Sequence, residues 1–289
     1  MRPLREILTE GAQKKTAIGH FNFSDLTAFR AIADAAKKLS LPVMVGLSEG
    51  ERSAVSPKTA AALVNAARSE GVEIYLNADH THSLEVAIIA AQAGFDEIIF
   101  DASRLPYEDN LKQTTEAVLQ LKKINPNILI EGELGFIGAN SQVLDVVPEE
   151  SRRFTDPSEA AEFCKTTKID VLAPAVGTMH GMVRAMITGG EHKHLDIARI
   201  KQLVDFTGLP ITLHGGSGTE DSDFVAGIEA GLRIVHVNTE LRLAWREGIQ
   251  ESLDELPNEI APYKLMQNSY ERMFAIVTAR LKLFNRISN

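Results

Sequence analysis

The chain has 289 residues, 44% of them hydrophobic, with 30 Lys and Arg against 39 Asp and Glu and a formal net charge of −9. That apolar content supports a sizeable core and excludes global disorder. The acidic balance argues against nucleic acid or an anionic membrane surface as the main partner, but backbone N–H groups and one or two local cations can still hold a phosphorylated ligand. Cys164 is the only cysteine, which excludes a disulfide framework and a cysteine-built zinc site. The N-terminus has no charged-then-apolar leader pattern and no apolar run reaches about 18 residues, so a cytoplasmic location with no membrane association is expected.

In chain order, eight short segments read as buried parallel strands: Thr16–Phe23, Pro42–Glu49, Glu73–Asp79, Glu97–Asp101, Ile128–Leu134, Val171–Val176, Pro210–Leu213 and Leu232–Val237. Between them lie Ala- and Leu-rich stretches with helical spacing: Leu26–Leu39, Pro57–Glu70, Leu84–Ala93, Leu111–Ile124, Pro157–Thr166, Ile197–Phe206, Ser222–Ala230 and Leu241–Leu256. Asp25, Ser56-Pro57, Ser83 and Asp156-Pro157 are start signals, and Gly71, Gly94, Gly208 and Gly231 sit where helices close. Strict strand–helix alternation over this length predicts an α/β chain folded as a (β/α)8 TIM barrel. A further C-terminal helix is expected near Tyr263–Phe284, available to cover the barrel or meet another subunit. No linker divides the chain, so residues 1–289 read as one domain. Two long connections, Phe136–Arg153 and Gly177–His194, fall on the C-terminal face where barrel active sites lie and read as active-site loops.

Polar residues concentrate at the predicted strand ends: Asn22, Ser48-Glu49, Asp79-His80, Asp101, Glu131 and Glu133, His180, His214 and Asn238. Any one of them can be a helix cap or a loop hydrogen bond, but as a set they mark one rim. His80, His180 and His214 lie on strands three, six and seven, and three neutral imidazoles converging there suit Zn²⁺ with a fourth position left for a substrate oxygen. Asp79 precedes a ligand and is placed for proton transfer, or else for orienting a histidine. Glu131 and Glu133 share one strand face, and with Asp101 they need a partner such as the metal, a second divalent or monovalent cation, or a basic side chain. Of the other histidines, His192 and His194 read as solvated and His82 as exposed. His20 is packed or lines the rim. The glycine-rich loop Gly215-Gly-Ser-Gly218, followed by Asn238-Thr239 after the last strand, matches the usual barrel phosphate site.

Asp79-His80, Glu131-Gly-Glu-Leu-Gly135, Phe154-Thr-Asp-Pro157, Gly177-Thr-Met-His-Gly181, Leu213-His-Gly-Gly-Ser-Gly218 and Asn238-Thr-Glu-Leu-Arg242 resemble the class II, zinc-dependent ketose-bisphosphate aldolases, which cleave fructose- or tagatose-1,6-bisphosphate. Asp101–Asn110 is also similar to a family segment, so the resemblance covers nearly the whole chain. It implies Zn²⁺ on His80, His180 and His214, with Glu133 and Asp101 near an alternative metal position. The ion would polarise the ketose carbonyl and stabilise the enediolate, with Asp79 handling the C4 hydroxyl proton. Gly181, Arg184, Gly215, Ser217, Asn238, Thr239 and Ser48 would contact the phosphorylated substrate. A homodimer or homotetramer is the family habit, and no Schiff-base lysine is required.

The chain also departs from the family. Asn77 stands for the usual His two residues before the Asp-His pair, and Thr81 for a small residue after it. The loop carboxylate that handles the C3 proton is absent from Asn140-Ser-Gln142, the next being Asp145, with Glu149 and Glu150 beyond. Arg184 replaces a lysine, and His236 replaces an asparagine that contacts the reacting substrate, so His236 lines the site or is a new acid/base. Three readings follow: a bisphosphate aldolase with a relocated acid, a metal-dependent lyase for a different phosphorylated or acidic substrate, and a catalytically weak sugar-phosphate-binding protein.

Overall fold

The computed structural model describes residues 1–135, 137, 143–144, 153–187, 189–190 and 192–288. The strands are β1 (Ile18–Asn22), β2 (Val43–Leu47), β3 (Ile74–Thr81), β4 (Glu97–Phe100), β5 (Leu129–Leu134), β6 (Val143–Leu144), β7 (Val171–Pro174), β8 (Met182–Val183), β9 (Ile211–Leu213) and β10 (Leu232–His236). The helices are α1 (Leu4–Lys14), α2 (Leu26–Leu39), α3 (Glu49–Ala54), α4 (Pro57–Ser69), α5 (Leu84–Ala93), α6 (Tyr107–Ile124), α7 (Pro157–Thr167), α8 (Arg184–Ile187), α9 (Ile197–Thr207), α10 (Asp221–Ala230), α11 (Thr239–Glu255), α12 (Pro262–Leu265) and α13 (Gln267–Phe284). All strands but β6 and β8 close into one parallel barrel in the order β1-β10-β9-β7-β5-β4-β3-β2. The expected (β/α)8 barrel with an extra C-terminal helix is therefore the observed fold.

Local chemistry sets the element boundaries. The side chains of Asp25, Ser56, Ser83 and Asp156 each accept a backbone N–H in the first turn of α2, α4, α5 and α7, which satisfies donors the helix itself cannot. Gly94 and Gly208 end α5 and α9 in the left-handed region, where a side chain would be strained. α13 packs against α11 and α2 on the outside of the barrel.

The interior is layered because alternate strand residues point inward. At the base, Ile18, Met44, Tyr75, Leu129, Val171 and Ile234 pack with Leu4, Ile7 and Leu8 of α1, which caps the barrel bottom. Two residues further along, His20, Asn77, Glu131 and His236 follow Ile18, Tyr75, Leu129 and Ile234, and with Glu97 of β4 and Thr212 of β9 they make a polar layer, all buried. Register brings them side by side, His20 opposite His236 and Asn77 opposite Glu97. The next layer, Asn22, Asp79, Asp101, Glu133 and His214, forms the rim. The outward strand residues and the helices make the larger apolar shell.

Candidate active site

His80, His180 and His214 converge as expected from sequence. Their ring centroids are 4.7 Å (His80–His180), 4.7 Å (His80–His214) and 5.6 Å (His180–His214) apart, and one ligand atom from each lies within 4.8 Å of the others. The donor chemistry fits a metal ion closely. His80 Nε2, His180 Nε2 and His214 Nδ1 are buried without a protein hydrogen-bond partner. The opposite nitrogens of two of these rings are held by carboxylates: His80 Nδ1 by Asp101 Oδ2 at 2.9 Å and His214 Nε2 by Glu131 Oε1 at 2.7 Å. Metal-binding imidazoles are oriented in this way, with the outer N–H given to a carboxylate and the inner lone pair left for the ion.

Each imidazole is positioned by its own backbone. His80 sits near the end of β3 with φ of +40°, a conformation that non-glycine residues adopt only where surroundings impose it. Arg52, buried on α3, supplies that constraint: its guanidinium donates to Leu47 O at 2.8 Å and to Thr81 Oγ1 at 3.0 Å. The hydroxyl of Thr81, where the family has a small residue, thus helps hold the turn that presents His80. His180 lies four residues past Val176, and its N–H is held by Ile137 O at 2.8 Å. Thr178 Oγ1 donates to His214 O at 2.6 Å and ties that loop to the end of β9.

Asp79 borders the triad. Its Oδ2 accepts from Asn22 Nδ2 at 2.7 Å, while Oδ1 is buried and unpaired. Oδ1 lies 3.8 Å from His80 Nε2 and 3.7 Å from His236 Nδ1. Burial opposes its charge, but His80, His20, His214 and the Asn22 hydrogen bond outweigh burial and hold Asp79 well below the usual carboxylate range. Burial likewise opposes charge on His80, yet Asp79, the Asp101 hydrogen bond and Glu133 push that imidazole up to about 10. Burial keeps His180 and His236 neutral, with pKa values well below the ordinary one, and nearby imidazoles add to this.

Asp101 and Glu133 approach His80 from its outer side. Glu133 Oε2 lies 3.4 Å from His80 Nδ1, and Ser103 Oγ bridges Asp101 Oδ1 at 2.7 Å and Glu133 Oε1 at 3.0 Å. Neither carboxylate belongs to the three-histidine cluster; with His80 they form a neighbouring cluster of their own. Burial and the adjacent Asp101 raise Glu133 well above the carboxylate range.

His236 stacks on His20 with centroids 3.6 Å apart and planes 11° apart. Asn77 Nδ2 donates to Glu97 Oε2 at 2.8 Å and its Oδ1 faces His20 Nε2 at 3.1 Å, so His20 carries its proton on Nε2. Burial together with Glu131 raises Glu97 well above its ordinary pKa. Both His236 nitrogens, His20 Nδ1 and Asp79 Oδ1 are buried without partners. His20, Asp79 and His236 form a cluster of potential ligands, but the stack prevents its two rings from sharing an ion. A cation in the plane of one ring would stand a full ring spacing off the plane of the other.

The expected phosphate residues also gather. Gly181, Gly215, Ser217, Asn238 and Thr239 come from the loops after β7, β9 and β10, and among the described residues none of their backbone N–H groups donates to a protein acceptor. Gly215 has φ of +64°, and a Cβ there would meet Met179 O at 2.3 Å, so only glycine fits where the two loops touch. Asn238 Oδ1 accepts from Asn22 N at 2.8 Å. Ser48 stands apart: it caps α3, with its hydroxyl donating to Glu51 Oε2 at 2.9 Å. Through Glu51 and Asn22 it connects to Asp79. Arg184 is exposed at the start of α8. Asn140, Ser141, Gln142, Asp145, Glu149 and Glu150 lie outside the described residues.

His192 and His194 are exposed as expected, as is His82. Lys193, between the first two, is buried instead, a residue that sequence reasoning passed over. Arg52, Ser103, Thr212, Glu97 and the His20–His236 stack were likewise unforeseen. The register of β1 against β10 is the one signal that pairs the last two.

A parallel (β/α)8 barrel with three orphaned imidazole nitrogens and an ionised carboxylate at its C-terminal rim has the donor set of a barrel enzyme site that could hold a metal ion. Comparison with known proteins makes the assignment specific. The family model for class II fructose-bisphosphate aldolase matches residues 2–289. A fructose-bisphosphate aldolase from Geobacillus stearothermophilus is 32% identical over 285 residues, covering 97% of this chain and 96% of that protein. A probable fructose-bisphosphate aldolase from Bacillus subtilis is 33% identical over the same length, with the same coverage. The crystal structure of the YdjI aldolase from Escherichia coli K12 superposes with a TM-score of 0.81 at 26% identity, covering 97% of this chain and 96% of that one. The chain belongs to the class II fructose-bisphosphate aldolase family, lyases that make and break carbon–carbon bonds.

Proposed function

We propose that this protein is a zinc-dependent ketose-bisphosphate aldolase that reversibly cleaves fructose- or tagatose-1,6-bisphosphate to dihydroxyacetone phosphate and glyceraldehyde 3-phosphate. The observation that carries the reading is the convergence of four unsatisfied buried atoms, His80 Nε2, His180 Nε2, His214 Nδ1 and Asp79 Oδ1. Buried polar atoms rarely go unpaired, and this set combines three imidazole nitrogens able to serve as metal donors with one base. The three imidazoles would hold the ion, which when bound supplies the positive charge that a ketose carbonyl and the carbanion equivalent left by cleavage require.

The chain's own residues do the rest. Asn22 holds Asp79 Oδ2, which leaves Oδ1 to accept the C4 hydroxyl proton as the C3–C4 bond breaks and to return it in condensation. His236 lines the floor beside Asp79, and its free nitrogens contact substrate hydroxyls. Gly181, Gly215, Ser217, Asn238 and Thr239 supply donors for the phosphate of the triose that carries the carbonyl, with Arg184 adding charge from α8. Asp101 and Glu133 orient His80 and offer an alternative cation position. The protein acts as a single barrel domain in the cytoplasm and as a homodimer or homotetramer. No described helix is long and apolar enough to cross a membrane.

The departures at Asn77 and His236 support a second reading, a class II-type lyase for a different phosphorylated or acidic substrate. A coupled assay for triose phosphate on both ketose bisphosphates, run with wild type and Asp79→Asn, separates the two. The first reading expects turnover by wild type and at least a ~100-fold loss in the variant with zinc retained. Zinc-loaded wild type that turns over neither sugar would overturn it in favour of the second.

A further inference from the structure

Lys193 belongs to the segment between α8 and α9, in a polar stretch flanked by exposed histidines, yet its side chain runs inward and is 4% exposed. The segment is anchored on both sides. Lys193 N donates to Gly218 O at 2.9 Å and Asp196 N to Val176 O at 2.9 Å, and Leu195 N donates to Asp223 Oδ2 at 2.8 Å. A Cβ on Gly177 would lie 2.3 Å from His194 O, so the segment presses directly on the loop that carries His180. The ammonium then donates to three backbone carbonyls: Met179 O at 2.7 Å, Gly181 O at 2.6 Å and Gly215 O at 2.8 Å. Three donors meet three acceptors, so the group is fully satisfied. Those carbonyls belong to the residues on either side of His180 and to the residue after His214. The same two backbone stretches carry the open N–H groups of Gly181, Gly215 and Ser217.

A neutral side chain would fill this space at far less desolvation cost. Burial pushes Lys193 down to about 7, with Glu240 only partly opposing it, and among the described residues no carboxylate forms an ion pair with it. An amine held by three carbonyls with no close counter-charge, beneath a cradle of free N–H donors, keeps its positive charge most readily when a dianion occupies that cradle.

We propose that Lys193 is a positioning residue of the phosphate subsite: its ammonium clamps the His180 and His214 loops together and holds the Gly181 and Gly215 donors at the spacing a phosphate requires. The inference rests on the phosphate-site reading given above and extends it to a residue that need not touch the ligand. Such a clamp acts on phosphate affinity more than on the metal, because His180 and His214 have separate supports in Ile137 O and Glu131.

The test uses the zinc-loaded full chain with Lys193→Met and Lys193→Gln, the second retaining two donors without the charge. Inorganic phosphate binding is measured by calorimetry, alongside zinc stoichiometry, the thermal transition and steady-state constants on the ketose bisphosphates. Expected are one zinc per chain in both variants, phosphate Kd and substrate KM raised at least tenfold, and kcat lowered less than KM is raised. Lys193→Ala should recover phosphate affinity when ammonium ions are added, because the vacated carbonyl triangle fits that cation, and Lys193→Met should not. Phosphate affinity within twofold of wild type in both variants would overturn the proposal, as would the absence of phosphate binding by wild type or a loss of zinc and kcat at unchanged KM. Wild type whose phosphate affinity depends on Lys193 but that cleaves neither sugar would sink the substrate assignment and leave this inference standing.

Discussion

Glu131→Gln is the sharpest probe of how the metal site is built. Glu131 is fully buried; one oxygen accepts a hydrogen bond from His214 Nε2 at 2.7 Å and the other accepts from Thr212 Oγ1. That carboxylate fixes which His214 nitrogen carries the proton and therefore leaves the Nδ1 lone pair free for a metal ion. Glutamine preserves volume and one acceptor but removes the charge that strengthens the imidazole as a donor. With its oxygen toward His214, its amide N–H meets the Thr212 hydroxyl, which rotates to accept, so the side-chain contacts survive. Loss of an orienting carboxylate weakens metal binding ~10–100-fold, or roughly 1.4–2.8 kcal/mol at about 1.4 kcal/mol per factor of ten. The retained hydrogen bond places this variant toward the lower end, about 10–30-fold. Zinc competition against a chromophoric chelator at pH 8 measures the change directly. Affinity within twofold of wild type in a folded variant would refute the claim that Glu131 sets the His214 tautomer.

Further outcomes follow from the same geometry. In the metal-free protein His80 is held up to about 10, so it is charged at neutral pH and metal binding must expel its proton. Below that value metal affinity should therefore fall ~tenfold per pH unit, with about one proton released per ion at pH 8. Calorimetry in buffers of different ionisation enthalpy reads this, and a proton count of zero would exclude it. In the metal-free protein the raised His80 pKa contributes stability that is fully present below about 6.5 and is lost as pH rises through about 10. The melting temperature of stripped protein should accordingly decline over that window. His236→Asn should leave zinc stoichiometry unchanged, since His236 is outside the three-histidine cluster, while lowering turnover by at least ~10-fold. Loss of zinc in that variant would mean that His236 is a ligand.

Much of this architecture was legible in the residues because short apolar runs, caps and helix-closing glycines agreed with one another. The first helix was not. Leu4–Lys14 interleaves its few apolar residues with charge and Gly11, and its role as a barrel plug appears only once Ile18, Met44 and Tyr75 are brought beneath it. α6 begins at Tyr107, four residues before the apolar periodicity starts at Leu111, because its first turn is the acidic Glu108-Asp109 rather than an apolar stripe. In the site, His80, His214 and Asp79 were readable from strand-end position, and His180, in the loop beyond β7, from its place in a Gly-flanked turn. Lys193 was not, because a lysine between histidines in a polar loop reads as solvated until the carbonyls of Met179, Gly181 and Gly215 are seen to surround it. The His20–His236 stack depends on the closure of β1 against β10, a pairing of chain ends that no local pattern announces.

If one ion on His80, His180 and His214 drives ketose-bisphosphate cleavage, turnover follows zinc occupancy. The most direct measurement is a zinc titration of chelator-stripped protein with triose phosphate release recorded at each step. Expected are no turnover before zinc, a linear rise that ends at one ion per chain, and no recovery for His180→Ala at the same zinc concentrations. Full turnover in stripped protein, or full recovery by His180→Ala, would contradict it.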